Sequence, residues 1–234
     1  AYITKLEQEM AKFLHTEEVA ACQSGTAGLN LSLVDAGVGP EDMVLVPTLT
    51  FIAAVNPVKY QFAQPVFMDC DDSLCMDPNK VKEFCENECK LIEDKLIHTK
   101  TEKHVKAVVV VHVFGNLADM EAIMDVAEKY HLIVIEDATE ALGTYYTEGR
   151  YAGKFAGTIG DYGAFSYNGN KIITTGEAFS CTSDSTITPG TGTRSKSSAL
   201  STRNTSEAPC VEISSLKGSV SSRFRSSAER GTGM

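Results

Sequence analysis

Residues 107–113 read Ala-Val-Val-Val-Val-His-Val, and this stretch decides the class of fold. The run is β-branched and nearly continuous, which is typical of a parallel strand covered on both faces. Outward from it, shorter apolar runs predict further strands, and the stretches between them have helical spacing. Within residues 118–130, apolar residues recur at the i, i+3, i+4, i+7 positions of one buried helix face. This alternation predicts an α/β fold, with a mostly parallel sheet and crossover helices.

The same patterns divide the chain into a structured body and a tail. Residues 1–176 carry the alternating runs, whereas residues 177–234 are rich in Ser and Thr with scattered basic residues. The tail has too little apolar surface to offset the entropy of ordering it, so we expect it to be disordered or to arise from a shifted reading frame. The body predicts strands at residues 44–46, 65–68, 107–113, 132–136 and 162–167, and helices at residues 26–35, 51–61, 78–89 and 118–130.

Composition and charge disfavour several functional classes. The formal charge is −10, and residues 1–179 carry 14 Lys and Arg against 27 Asp and Glu. An acidic body does not suit nucleic-acid binding, because phosphate contacts need clustered Lys and Arg. No apolar run reaches the ~18 residues that a membrane helix needs, and no secretory signal is visible. We therefore expect a cytoplasmic protein that binds neither nucleic acid nor membrane.

The seven cysteines are odd in number and irregular in spacing, which is typical of reduced cytosolic thiols. Cys85 and Cys89 lie four residues apart on a predicted helix, and His98 and His104 follow further along the chain. This set is a candidate metal site. No paired C-x-x-C accompanies it, and such spacings have low specificity, so the sequence predicts no metal.

Two features at predicted strand ends suit a flat, phosphorylated ligand, because ligands of open parallel sheets bind at the carboxyl ends of strands. Ser24-Gly25-Thr26 opens a helix, where small residues and the helix dipole favour an anion such as phosphate. A simple helix N-cap is the alternative. Phe51 follows the segment 44–50 and either stacks on a ring or packs in the core. The lack of a Walker loop or a G-x-G-x-x-G pattern argues against nucleoside triphosphates and dinucleotides.

Two further features supply charge and a nucleophile. Asp137, after Glu136 at the end of a strand, either holds a cationic ring nitrogen or serves as a helix cap or solvated loop acid. Lys171 closes the stretch Ala164-Phe-Ser-Tyr-Asn-Gly-Asn-Lys171, where burial and neighbouring cations favour a neutral, nucleophilic amine. An ordinary surface-loop lysine is the alternative. Taken together, the four features are the parts that pyridoxal phosphate requires.

The order of these motifs also resembles a known family. Ser24-Gly-Thr-Ala27, Pro47-Thr-Leu-Thr-Phe51, Glu136-Asp-Ala138 and the run from Phe165 to Gly176 are similar to the DegT/DnrJ/StrS sugar aminotransferases. The resemblance covers roughly residues 1–176 and implies the large domain of a fold-type-I pyridoxal-phosphate enzyme. Its nearest subgroups aminate nucleotide-linked keto sugars for surface polysaccharides or nonulosonic acids.

The resemblance implies roles for seven residues around the cofactor. Two are catalytic: Lys171 holds the cofactor covalently and moves a proton, and Asp137 also binds the pyridine nitrogen and keeps it protonated. Many relatives carry Gln or His at position 140, and a dehydratase branch replaces the lysine with His. The remaining cofactor-binding residues are Gly25, Thr26 and Ser166 at the phosphate, Phe51 against the ring, and Glu140 near the ring.

The implied reaction converts a nucleotide-linked keto sugar to an amino sugar, with glutamate as the amino donor and a homodimer that completes the site. The sequence departs from the family at both ends. The residues that precede the first helix in the family are absent, and the family's small C-terminal domain does not follow Gly176. These departures leave a second interpretation, a catalytically inactive fragment of such an enzyme. A nucleotide-binding Rossmann domain is a third interpretation, which the missing glycine fingerprint disfavours.

Overall fold

Helices and strands alternate along the chain in this computed structural model, which describes residues 2–175, 179–183, 187–188 and 193–194. The helices are α1 (Tyr2–Leu14), α2 (Gly25–Asp35), α3 (Asn56–Tyr60), α4 (Pro78–Glu88) and α5 (Met120–Tyr130). The strands are β1 (Val19–Cys22), β2 (Asp42–Pro47), β3 (Gln64–Met68), β4 (Cys89–Ile92), β5 (Lys95–His98), β6 (His104–Val111), β7 (Ile133–Asp137), β8 (Tyr162–Ser166), β9 (Phe179–Ser183), β10 (Ile187–Thr188) and β11 (Thr193–Arg194).

The central sheet is parallel over five adjacent strands, in the order β3-β2-β6-β7-β8. Past β8 the sheet continues through β9 to β1, and β9 is antiparallel to both of its neighbours. The short strands β4 and β5 form an antiparallel hairpin, and Ile97 of β5 pairs with His104 at the start of β6. The predicted α/β class with crossover helices is therefore confirmed.

Helices cover both faces of the sheet, and this explains why β6 is apolar at every position from Ala107 to Val111. Val109 faces the core under α2, where it belongs to the same buried cluster as Leu29. Val108 faces the opposite core with Phe84 of α4 and Ile123 of α5. Because successive side chains of a strand point to opposite faces, a strand buried on both sides needs an apolar residue at every position.

The largest differences from the predicted bounds concern two elements. The single helix predicted over residues 51–61 is a 3₁₀ turn (Ile52–Ala54) followed by α3. Pro57 has no N–H to donate to the preceding turn, which favours this break. The strand predicted over residues 107–113 starts earlier and ends at Val111, because the backbone then turns through Phe114, with a φ of 55°.

Strand β9 corrects the predicted domain boundary at residue 176. It lies within the predicted tail, yet it pairs with two strands and its first four residues are buried. Its polar side chains have partners: Thr182 Oγ1 donates to the carbonyl of Gly157 at 3.1 Å, and Ser180 Oγ lies 2.5 Å from the Tyr167 hydroxyl. Composition does not reveal such partners, so the boundary is wrong for this strand. Residues 176–178, and the predicted tail apart from β9 to β11, lie outside the described residues.

The candidate metal ligands do not form a ligand cluster in the described part of the chain. Cys85 of α4 and Cys89 of β4 are buried in the core, and the described residues hold no group of three or more side chains that could bind a metal ion.

None of the described helices is long and apolar enough to cross a membrane.

Gly163 lies in β8, and the turn at Gly157 packs against it. A β-carbon on Gly163 would overlap the carbonyl group of Gly157. We expect Gly163→Ala to lower the free energy of unfolding by about 1–3 kcal/mol, because backbone atoms must move to make room. Urea denaturation measures the change. Gly39→Ala is the matched control, since a β-carbon at Gly39 meets nothing within 4 Å. Equal stability of the two variants would contradict the close packing of this turn on β8.

Candidate active site

The carboxyl ends of several strands meet at one edge of the sheet. Strands β6, β7 and β8 are parallel, so their last residues lie side by side. Strand β1 runs in the same direction as β8, because each is antiparallel to β9 between them. The amino terminus of α2, which follows β1, therefore reaches the same edge, as does the start of β9, where Phe179 pairs with Ser166.

A cleft of about 550 Å³ opens at this edge of the sheet. Its lining includes Phe114, Thr139 and Phe179, to which the sequence assigned no role. The sequence did not indicate Phe179 as a site residue because it lies in the predicted tail. The lining also includes every residue predicted to be catalytic or to bind the cofactor: Gly25, Thr26, Phe51, Asp137, Glu140, Ser166 and Lys171.

The amino terminus of α2 combines a helix cap with room for an anion. Ser24 accepts a hydrogen bond from the Ala27 N–H at 3.0 Å, so its hydroxyl is the N-cap. The first N–H groups of the helix, on Gly25 and Thr26, have no acceptor within the helix. A β-carbon on Gly25 would meet Thr139 Cγ2 at 3.2 Å, and glycine therefore leaves space at the helix end. This geometry suits a phosphate.

Asp137 is the last residue of β7 and is buried at the base of the cleft. Its Oδ1 accepts a hydrogen bond from the Thr139 N–H at 3.1 Å. Burial raises the pKa of Asp137, and the hydrogen bonds of Thr139 and the charge of Lys171 oppose this rise. A cationic group in the cleft would offset the cost of burying this carboxylate.

Lys171 is not an ordinary surface lysine, because its side chain is only 17% exposed and its Nζ lies 2.9 Å from Glu140 Oε1. The other carboxylate oxygen of Glu140 accepts a hydrogen bond from the Phe114 N–H at 3.1 Å. The hydrogen bond from Lys171 lowers the pKa of Glu140, against a smaller effect of burial. The cleft thus holds an ion pair that includes the candidate nucleophile.

The two remaining predicted residues lie at opposite depths of the cleft. Phe51 is 78% exposed, which rules out the alternative that it packs in the core. Ser166 is buried as the last residue of β8, and its Oγ lies 3.4 Å from the Asn168 backbone nitrogen. An exposed ring at the mouth and a buried hydroxyl at the base suit the two ends of a flat, phosphorylated ligand.

No role was predicted from the sequence for Glu136, which precedes Asp137 in β7 and is fully buried. Its fully buried carboxylate accepts hydrogen bonds from the backbone N–H groups of Gly157 (2.9 Å), Ile159 (2.6 Å) and Gly160 (2.6 Å), and contacts His112 Nε2 at 2.9 Å. Four donors on one carboxylate fill its lone-pair positions. Glu136 therefore joins β7 to the turn that leads into β8.

The orientation of the His112 ring follows from its partners. The Ala118 N–H donates to Nδ1 at 3.2 Å, so Nδ1 acts as an acceptor and the hydrogen lies on Nε2, which donates to Glu136. The backbone N–H of His112 donates to the carbonyl of Asp137 at 3.1 Å. A histidine inside the otherwise apolar run 107–113 was a sequence signal of this network.

Comparison with known proteins identifies relatives of the chain. The DegT/DnrJ/EryC1/StrS aminotransferase family matches residues 1–189. The GDP-perosamine synthase of Caulobacter vibrioides is 41% identical over 176 residues, which are 75% of this chain and 42% of that protein. The structure of the aminotransferase from Psychrobacter cryohalolentis is 31% identical with a TM-score of 0.65, over 77% of this chain and 41% of that one. NtdA of Bacillus subtilis, solved with its cofactor PMP, is 28% identical with a TM-score of 0.63, over 79% of this chain and 37% of that one.

The resemblance drawn from the motifs is therefore confirmed, although the chain spans less than half the length of each of these proteins.

Glu136→Gln should lower the free energy of unfolding by about 3–5 kcal/mol, because the amide nitrogen that replaces one oxygen would face donors and leave them unpaired. Urea denaturation measures this loss. Glu83→Gln is the matched control, because Glu83 pairs with an exposed lysine on the surface and its loss should change little. A similar small change in both variants would contradict a supporting role for Glu136.

Proposed function

The chain belongs to the DegT/DnrJ/EryC1/StrS aminotransferase family, and we propose that it comes from a pyridoxal-phosphate-dependent enzyme that aminates a nucleotide-linked keto sugar. The observation that supports this most is the single cleft lined by Lys171, Asp137, Ser166 and the amino terminus of α2. The names of two relatives add support, since one is a GDP-perosamine synthase and the other was solved with PMP. The activity proposed is that of the whole protein.

The residues of the cleft fit the cofactor. Gly25 and Thr26 would bind its phosphate with the N–H groups of α2, together with the Ser166 hydroxyl. When bound, pyridoxal phosphate supplies a carbonyl that takes up amines and a ring that withdraws electrons. The exposed ring of Phe51 would cover one face of the cofactor.

Asp137 and Lys171 would have different roles. The buried carboxylate of Asp137 would hold a proton on the pyridine nitrogen, because a charge pair offsets the burial that raises its pKa. The amine of Lys171 would bind the cofactor and would later carry a proton between a carbon of the substrate and a carbon of the cofactor. Both residues line the same cleft.

The substrates need partners beyond this cleft. Among the described lining residues, Lys171 is the only cation. The diphosphate of a nucleotide sugar, and the carboxylates of glutamate as donor, would therefore bind to groups on other parts of the whole protein. The side chains of Phe51 and Phe114 are 78% and 75% exposed at the cleft mouth, which supports a homodimer that covers them.

We place the protein in the cytoplasm. Six described cysteines are free, including Cys22 and Cys181, whose sulfurs are 3.7 Å apart. Free thiols at this distance suit a reducing compartment.

Lys171 should be the residue that binds the cofactor. Addition of pyridoxal phosphate to the chain, followed by borohydride, should attach label to Lys171, because its amine faces the cleft that binds the phosphate. Peptide mass spectrometry locates the label. Lys154, an exposed loop lysine, is the internal control, and Lys171→Ala should remove most of the label. Label spread evenly over surface lysines would contradict the assignment and would favour the inactive fragment.

Asp137→Asn should separate function from stability. In the whole enzyme it should cost about 2–4 kcal/mol of transition-state stabilisation in steady-state kinetics, because the ring nitrogen would lose its proton. Unchanged transamination would mean that another acid faces the ring.

The same substitution should not destabilise the cofactor-free chain at neutral pH. A carboxyl whose pKa is raised by folding binds its proton more tightly in the folded state, so its contribution to stability falls as pH rises above the ordinary value of Asp. The amide has no such cost. Urea unfolding at pH 7 should give a midpoint for Asp137→Asn that is no lower than that of the original chain.

A further inference from the structure

The ion pair of Lys171 and Glu140 differs from the other lysine–glutamate pairs of the described residues. Those four pairs involve lysines whose side chains are 51–76% exposed, whereas the Lys171 side chain is 17% exposed. Solvent screens an exposed pair until it contributes almost nothing. Partial burial weakens this screening, so the contact at 2.9 Å holds its two groups more firmly.

Glu140 is the fixed member of the pair. Its Oε2 accepts the Phe114 N–H at 3.1 Å, in the turn that follows β6. That turn has positive φ at Phe114 (55°) and Gly115 (84°), and a β-carbon on Gly115 would meet the carbonyl oxygen of Glu140 at 3.3 Å. Since one carboxylate oxygen is bound to a backbone that packs on residue 140 itself, the other oxygen presents a stationary acceptor to the cleft.

Lys171 has the longer side chain of the pair. It follows the turn in which its N–H donates to the carbonyl of Asn168 at 2.9 Å. The charged groups that line the cleft around it are Glu140 and Asp137. The hydrogen bond from Lys171, together with that from Phe114, lowers the pKa of Glu140, so the carboxylate remains ionised at neutral pH and acts as an acceptor.

We propose that Glu140 is a positioning residue for Lys171. It holds the ammonium of Lys171 whenever the lysine is not bonded to the cofactor, and it returns the amine to one place in the cleft. This rests on the proposed role of Lys171 as the cofactor-binding amine. A neutral Gln at position 140 would keep the hydrogen bond to Phe114 but would hold the ammonium only weakly.

The test measures the reactivity of Lys171 in the cofactor-free chain. Trace acetic anhydride labels only neutral, unpaired amines, and mass spectrometry gives the rate for each lysine at pH 7–9. In Glu140→Gln the rate at Lys171 should rise about fivefold or more, because the amine no longer leaves an ion pair before it reacts. The matched control is Glu88→Gln, which removes the partner of the exposed Lys100 and should leave the Lys171 rate unchanged.

Two outcomes would overturn the proposal. An unchanged Lys171 rate in Glu140→Gln would show that the carboxylate does not hold the amine. A rise shared by all lysines would show that Glu140 only maintains the fold. Because no cofactor is added, failure of the chain to bind pyridoxal phosphate would leave this result intact, so the two proposals fail separately.

A second measurement follows the ionisation of the Glu140 carboxyl group. Lys171→Met removes the hydrogen bond that most lowers the pKa of Glu140, so that pKa should rise towards its ordinary value. Carboxyl ¹³C NMR of chain labelled at glutamate follows the titration, and Glu140→Gln assigns the resonance. A Glu140 pKa that is the same with Lys171 and with Met would contradict the ion pair.

Discussion

The Glu136 carboxylate is the interaction on which the geometry of the cleft depends. It receives three backbone N–H groups from the turn before β8 and the Nε2–H of His112 after β6. It therefore joins three segments at a point that no solvent reaches. Asp137, the next residue, points to the opposite face because side chains alternate along a strand. The buried network behind the strand thus fixes how far Asp137 projects into the cleft.

The direction of the strands explains why the site forms at one edge only. Parallel pairing from β3 to β8 brings the carboxyl ends of these strands together. Strand β9 is antiparallel to both β8 and β1, so β1 runs in the same direction as β8. The amino terminus of α2, which follows β1, therefore lies at the same edge as Ser166. Without β9 between them, β1 and β8 would lack the pairing that sets this distance. A strand of mostly polar residues therefore completes the cleft.

The cleft contains charged groups of a kind that is rarely buried in a protein core. Asp137 is buried with its pKa raised, and the partly buried Lys171 is held by Glu140. Burial of the Asp137 carboxylate lowers the stability of the protein without a ligand, and a cationic group in the cleft would offset that cost. The cleft therefore combines one buried carboxylate with one partly buried ion pair.

The sequence by itself determined the α/β class, the crossover helices and seven of the residues that line the cleft, because periodicity and local motifs depend on neighbouring residues. It did not reveal β9, since the hydroxyls of Ser180 and Thr182 become compatible with burial only through partners on distant segments. The network of Glu136 and His112 was hidden for the same reason. Hydrogen bonds between residues far apart in the chain exist only in the folded structure, and these bonds decided how the site is held together.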